Sequence, residues 1–120
     1  MALTVPDPFV WDTSFQTFYD TIDDHHKAIF NGIVDCTKEN TAANKKKLVD
    51  VVKNHFAHED SEFIVHKYPE GASHTAAHNA FTAKLEAASV PLDDATVKFA
   101  KEWLVNHIKT IDFKYKGKLG

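Results

Sequence analysis

Residues 54–59 read Asn-His-Phe-Ala-His-Glu, and residues 74–78 read His-Thr-Ala-Ala-His. A helix turns about 100° per residue, so positions four apart lie about 40° apart on one face. His55 with Glu59 therefore makes one same-face pair, and His74 with His78 a second. His26 stands in an amphipathic stretch before them, and His107, followed by Asp112, in one after. Four segments each offer imidazole or carboxylate to a common interior. Left without a metal, such an interior would be expensive, because each unpaired buried polar group costs about 1–3 kcal/mol.

Working outward, the apolar spacing predicts four helices. The first covers residues 19–38, with Ile22, His26, Ile29, Ile33 and Cys36 or Thr37 on one stripe. Asp20 and Asp23 are expected to favour its start, by capping and by complementing the helix dipole. The second begins at 41 or 44 and runs to 66, with Leu48, Val51, Val52, His55, Glu59 and Phe63 inward. Pro69 and Gly71 then punctuate the chain. The third spans residues 72–88, with His74, His78, Phe81 and Leu85 inward. Pro91 breaks it, and Asp93 caps a fourth helix over 94–110, with Val97, Ala100, Trp103 or Leu104, His107 and Ile111 inward. No strand-like alternation competes. Short connections favour antiparallel neighbours, so the expected fold is all-α, an up-down-up-down antiparallel four-helix bundle. Residues 1–120 are expected to form one domain: an ordered aromatic arm over 1–18, the bundle over 19–112 and a tail over 113–120.

The donor set has a chemistry. Imidazole with carboxylate suits iron, manganese or zinc, whereas a structural zinc site takes four ligands and often uses cysteine. Five histidines, Glu59 and Asp112 are too many ligands for one ion. If two six-coordinate metals share Glu59, Asp112 and one solvent-derived oxygen, the metal with three histidines is full. The metal with two keeps an open position for a small ligand. Asp112 is the awkward member: five residues beyond His107 is about 140° of helical rotation. Either the helix ends near Thr110 and the chain curls inward, which would bring it back, or Asp112 is not a ligand.

Composition narrows the alternatives. The chain has 120 residues, 43% of them hydrophobic, enough for one core without disulfides. Cys36 is the single cysteine and sits on the apolar stripe of the first helix, which points to a buried structural thiol and a reducing compartment. The net charge is −3 and all 14 basic residues are lysine, so bidentate arginine contacts to bases or phosphates are missing and nucleic acid is not an expected partner. The N-terminal residues lack the pattern of a signal peptide, and no stretch approaches the ~20 apolar residues of a membrane span. The expectation is a cytoplasmic protein without a membrane partner. No Ser-His-Asp arrangement, reactive cysteine or phosphate loop suggests an enzyme. His25, about 100° from the His26 face, is expected at the surface or at a helix interface. His58 flanks the ligand pair, and His66 reads as a helix-end residue.

With the ligand set in view, the chain resembles the hemerythrins, and most closely their monomeric muscle type. The resemblance is carried by Val10-Trp11-Asp12, His26-Lys27-x-Ile29-Phe30, Asn54-His55-Phe56-x-His58-Glu59 and His74-x3-His78. It continues through Trp103-Leu104-Val105-Asn106-His107-Ile108-Lys109 and Asp112-Phe113-Lys114-Tyr115-Lys116-Gly117. It implies two non-heme irons, one held by His74, His78 and His107 and the other by His26 and His55, with Glu59, Asp112 and an oxo or hydroxo group as bridges. It further implies reversible dioxygen binding, the oxygen held as hydroperoxide on the two-histidine iron. Phe63, His66 and His25 depart from the muscle-type pattern, which bears on pocket shape and affinity. Phe56, Trp103, Leu104 and Ile108 are the expected apolar wall of the oxygen pocket. The alternatives are a metal-sequestering protein using the same cavity and a di-iron sensor. Between His78 and His107 lie 28 residues, a length that resembles the longer form of this segment in the monomeric type, so a monomer is expected.

Overall fold

The computed structural model describes residues 5, 6, 8–116, 118 and 119. The outermost part of the expected arm (1–4, and 7) and tail positions 117 and 120 lie outside the described residues. The chain forms four α-helices and, among the described residues, no strand: α1 (Asp20–Lys38), α2 (Ala42–Val65), α3 (Gly71–Ala87) and α4 (Asp94–Asn106). Each lies within two residues of its sequence expectation except the last. Connections are short throughout, so successive helices run antiparallel. α1 packs on α2 and α4, and α2 on α3. Phe81 on α3 closes the ring against α4, stacking on Trp103 at 3.9 Å between centroids. The bundle is 39 Å long and 26 × 25 Å across.

The caps explain where the helices begin. Thr41 accepts from the Asn44 N–H at 3.2 Å, and Asp93 from the Thr96 N–H at 2.7 Å. Asp20 does not cap α1, whose N-cap position is Tyr19 with no side-chain bond. Asp23 instead turns back and accepts from both the Thr17 N–H and the Thr17 hydroxyl at 2.8 Å, tying the arm to the first turn. α2 ends in a Schellman motif. Tyr68 N–H donates to the Phe63 carbonyl at 2.9 Å and Lys67 N–H to that of Ile64 at 3.3 Å, with Lys67 left-handed at φ 51°. The Phe63 and Tyr68 rings close it at 5.2 Å.

The arm is ordered where it is described. Phe9 stacks on Phe30 at 4.4 Å and Phe15 meets the same ring edge-on at 5.0 Å. Lys27 lies over the Trp11 ring and Lys109 over Phe15. Cys36 is buried in the same cluster, and its burial pushes the thiol above its ordinary value, as a structural cysteine requires.

Two apolar clusters divide the interior. The larger contains Ile29, Ile33, Leu48, Val52, Phe81, Leu85, Ala100 and Leu104; the smaller contains Ile22, Phe63, Tyr68, Tyr115 and Leu119. On α1, His26 lies between Ile22 and Ile29. On α2, His55 and Glu59 lie between Val52 and Phe63. The histidines and carboxylates thus form a polar layer between two dry ends.

Candidate metal centre

α4 does not end near Thr110. From His107 to Ile111 it widens into a π turn, then tightens into a 3-10 turn over Asp112–Tyr115. The Asp112 N–H reaches the His107 carbonyl, five residues back, and that of Ile108. A π turn holds one residue more than an α turn, and the extra residue cancels most of the 140° mismatch. Asp112 is reached by a wider helix rather than by a broken one.

All seven sequence candidates are buried and converge. Their donor atoms fall into two groups, His74, His78, His107 and Asp112 in one, and His26, His55, Glu59 and Asp112 in the other. Asp112 belongs to both. Its Oδ1 lies 2.8 Å from His74 Nε2 and 3.2 Å from His107 Nε2, while its Oδ2 lies 3.1 Å from His26 Nε2. Glu59 Oε1 lies between the groups as well, 2.9 Å from His55 Nε2 and 3.2 Å from His78 Nε2. Both carboxylates span the gap.

The donors are poorly satisfied by one another. His26 Nε2, His78 Nε2, Glu59 Oε1 and Asp112 Oδ2 are buried without a well-directed hydrogen bond. Buried polar groups normally have partners, and inward lone pairs lacking them are what a cation would satisfy. The residues present therefore fit the two metals that the donor set implies. Electrostatics agrees. Burial and the Asp112 charge push the Glu59 carboxyl up, but His55 and His78 outweigh them and the net displacement is downward. Burial pushes Asp112 up too, and the histidines, His107 foremost, take it well below the carboxylate range. Burial depresses His55. It also acts downward on His26, where Asp112 reverses it and the net displacement is upward. Both carboxylates are held ionised, as ligands must be.

Around this layer sit aromatic rings. Phe56 lies flat on the His78 imidazole at 3.8 Å, and Trp103 flat on that of His107 at 4.3 Å. Phe56 is 5.8 Å from His55. Leu104 and Ile108 are buried in the large cluster. Of the four wall residues, then, the two aromatics press mainly on the three-histidine side. Phe63, one of the departures, tilts against His74 at 4.7 Å. Gly71 gives it room, since a Cβ there would stand 2.9 Å from Phe63 Cβ.

One neighbour escaped the sequence reading. Tyr115 is fully buried and its hydroxyl donates to Glu59 Oε2 at 2.6 Å. Burial first, then the two site carboxylates, raise it well above the phenolic range, so it stays a donor. Its place in a lysine-rich tail hid it; alternation of Phe113, Tyr115 and the lysines was the available signal. His25 takes one of its two expected places, half-buried at the α1–α2 interface, and its Nδ1 lies 3.1 Å from His55 Nδ1, a contact the sequence did not indicate. Burial, then repulsion from His55 and His58, lowers its basicity. His66 caps the end of α2 and pairs with Glu62 at 3.1 Å, away from the site.

A four-helix bundle enclosing five imidazoles and two carboxylates defines a class of cation-binding protein. Residues 17–119 match the family model described as the hemerythrin HHE cation binding domain. The chain is 48% identical to myohemerythrin of Sipunculus nudus over 120 residues, covering 99% of this chain and 100% of that one. It is 47% identical to myohemerythrin-1 of Phascolopsis gouldii over 116 residues, 96% and 98% of the two chains. It is 44% identical to hemerythrin of Themiste dyscrita over 115 residues, 96% and 97%. The chain belongs to the hemerythrin family.

Proposed function

We propose that this chain binds dioxygen reversibly at a pair of non-heme iron ions held by His26, His55, Glu59, His74, His78, His107 and Asp112. The observation that carries the reading is Asp112, whose two oxygens face different histidine groups. When bound, the irons supply the two electrons that dioxygen takes up and later returns. Everything else falls to the protein. His74, His78 and His107 would hold one iron by three nitrogens; His26 and His55 would hold the other by two, and the missing nitrogen would leave room for a small ligand. Tyr115 holds Glu59 by its outer oxygen. Phe56, Trp103, Leu104 and Ile108 keep water, and with it protons, from the interior.

Membership of the hemerythrin family supports this reading, as does similarity to myohemerythrins at nearly full length. Such a chain carries or stores a ligand rather than transforming it. We take it to act as a single-domain monomer in the cytoplasm. The lone buried thiol supports that compartment, and no helix among the described residues is long and apolar enough to cross a membrane.

Metal analysis together with an aerobic optical spectrum tests the proposal. Two irons per chain, and an oxygenated spectrum that reverses under vacuum, are expected. One metal per chain would overturn the two-metal site. Two metals with no reversible spectrum would leave a sequestering protein.

A further inference from the structure

His55 presents its two ring nitrogens to different surroundings. Nε2 lies 2.9 Å from Glu59 Oε1 on the inner side, and Nδ1 lies 3.1 Å from His25 Nδ1 on the outer side. A nitrogen that coordinates a metal carries no hydrogen, so a His55 that uses Nε2 as ligand has its proton on Nδ1. The contact can then run only one way. His55 Nδ1–H donates, His25 Nδ1 accepts, and His25 keeps its own proton on Nε2 as the neutral tautomer.

His25 is held for this task. Its ring meets His55 edge-to-face at 5.3 Å and 85°, and on its other flank meets His58 edge-to-face at 5.2 Å and 83°. The same tautomer removes the competing idea of a separate surface metal on His25 and His58, because His25 then has no lone pair left to give. Across the site the arrangement differs. The outer nitrogen of His78 has a carboxylate, Asp60 Oδ1, at 3.4 Å but no well-directed hydrogen bond to it, and Asp60 accepts from the Thr75 hydroxyl at 2.6 Å.

We propose that His25 is a positioning residue for His55, giving that ligand of the two-histidine metal an uncharged, hydrogen-bonded outer partner. The inference rests on the reading of His55 as a metal ligand. An outer carboxylate makes an imidazole a stronger donor and a neutral ring does so less. The neutral partner of His55 thus adds to the inequality that three histidines against two would already set between the metals.

Cobalt(II) added to metal-free protein tests this without oxygen, through two binding constants and the visible ligand-field bands. The wild type is expected to take up two cobalt ions with unequal affinity. His25→Leu weakens the looser site by about 10-fold and leaves the tighter one alone. His25→Gln, which keeps a neutral acceptor, recovers most of that loss. His25→Glu tightens the looser site by about 10-fold and shifts only its bands. Circular dichroism of each metal-free variant confirms that the bundle is retained, and the Glu and Gln variants decide the matter if the Leu variant does not fold. Two bound cobalt ions with a looser site indifferent to all three substitutions, or equal changes at both sites, overturn the role of His25 alone. Fewer than two cobalt ions in the wild type overturn the two-metal reading and this inference with it.

Discussion

The Asp112 N–H donates to the His107 carbonyl across a π turn, and this i to i−5 bond lets both side chains enter one cluster of buried donor atoms. Adding a residue to the turn should undo it. An alanine inserted after the exposed Thr110 puts Asp112 six residues beyond His107 and rotates it by about a further 100°. The expected result is a folded bundle, by circular dichroism, that holds fewer than two metals. Full loading of the insertion variant would show that the register of the π turn is dispensable.

Tyr115 ties the tail to the centre of the site through Glu59. Tyr115→Phe leaves a buried charged oxygen short of a partner, which costs about 1–3 kcal/mol. Urea unfolding of metal-free protein should show that loss. With metals bound the cost should shrink, because the carboxylate is then engaged from inside; an equal loss in both forms would place the role of Tyr115 in packing alone.

Leu104 lies in the large apolar cluster, three residues before His107, and is 2% exposed. Leu104→Ala should cost about 2–5 kcal/mol by opening a cavity, and should speed loss of the oxygenated form by admitting water while both metals remain. Autoxidation at the wild-type rate would leave Leu104 as core and nothing more.

Lys67 adopts the left-handed conformation that closes the Schellman motif. That conformation costs a residue with a Cβ about 1–2 kcal/mol, whereas glycine adopts it freely. Lys67→Gly should therefore raise the thermal midpoint without altering metal content. A lower midpoint would mean that the lysine side chain contributes more than its backbone conformation costs.

Acid acts on the metal-free protein through its carboxylates. Glu59 and Asp112 have folded-state values below their ordinary ones, so the unfolded chain takes up protons first as pH falls. Their contribution is present above about pH 4 and is lost below it. Glu59→Gln should flatten that part of the stability profile. A profile as steep as the wild type would assign the acid sensitivity elsewhere.

Much of this molecule was decided locally. The i, i+4 pairs His55–Glu59 and His74–His78 specify both a helix and the face it must bury, because the period of 3.6 residues and the ligand spacing are one constraint. The inward stripe of α3 and the Asp93 cap were legible for the same reason. Three features were decided only by tertiary structure. The π turn at His107 is not favoured by local propensity; it is tolerated because it carries Asp112 into a buried cluster of imidazoles. Tyr115 sits in a segment with no helical period, and only the return of the tail over α2 brings it to Glu59. His25 points off the ligand face of α1 and gains a partner only because α2 packs beside it and presents the outer nitrogen of His55. Periodicity records which side of one helix is inward, whereas contacts between helices depend on how those sides are set against each other, and that is a property of the packed bundle.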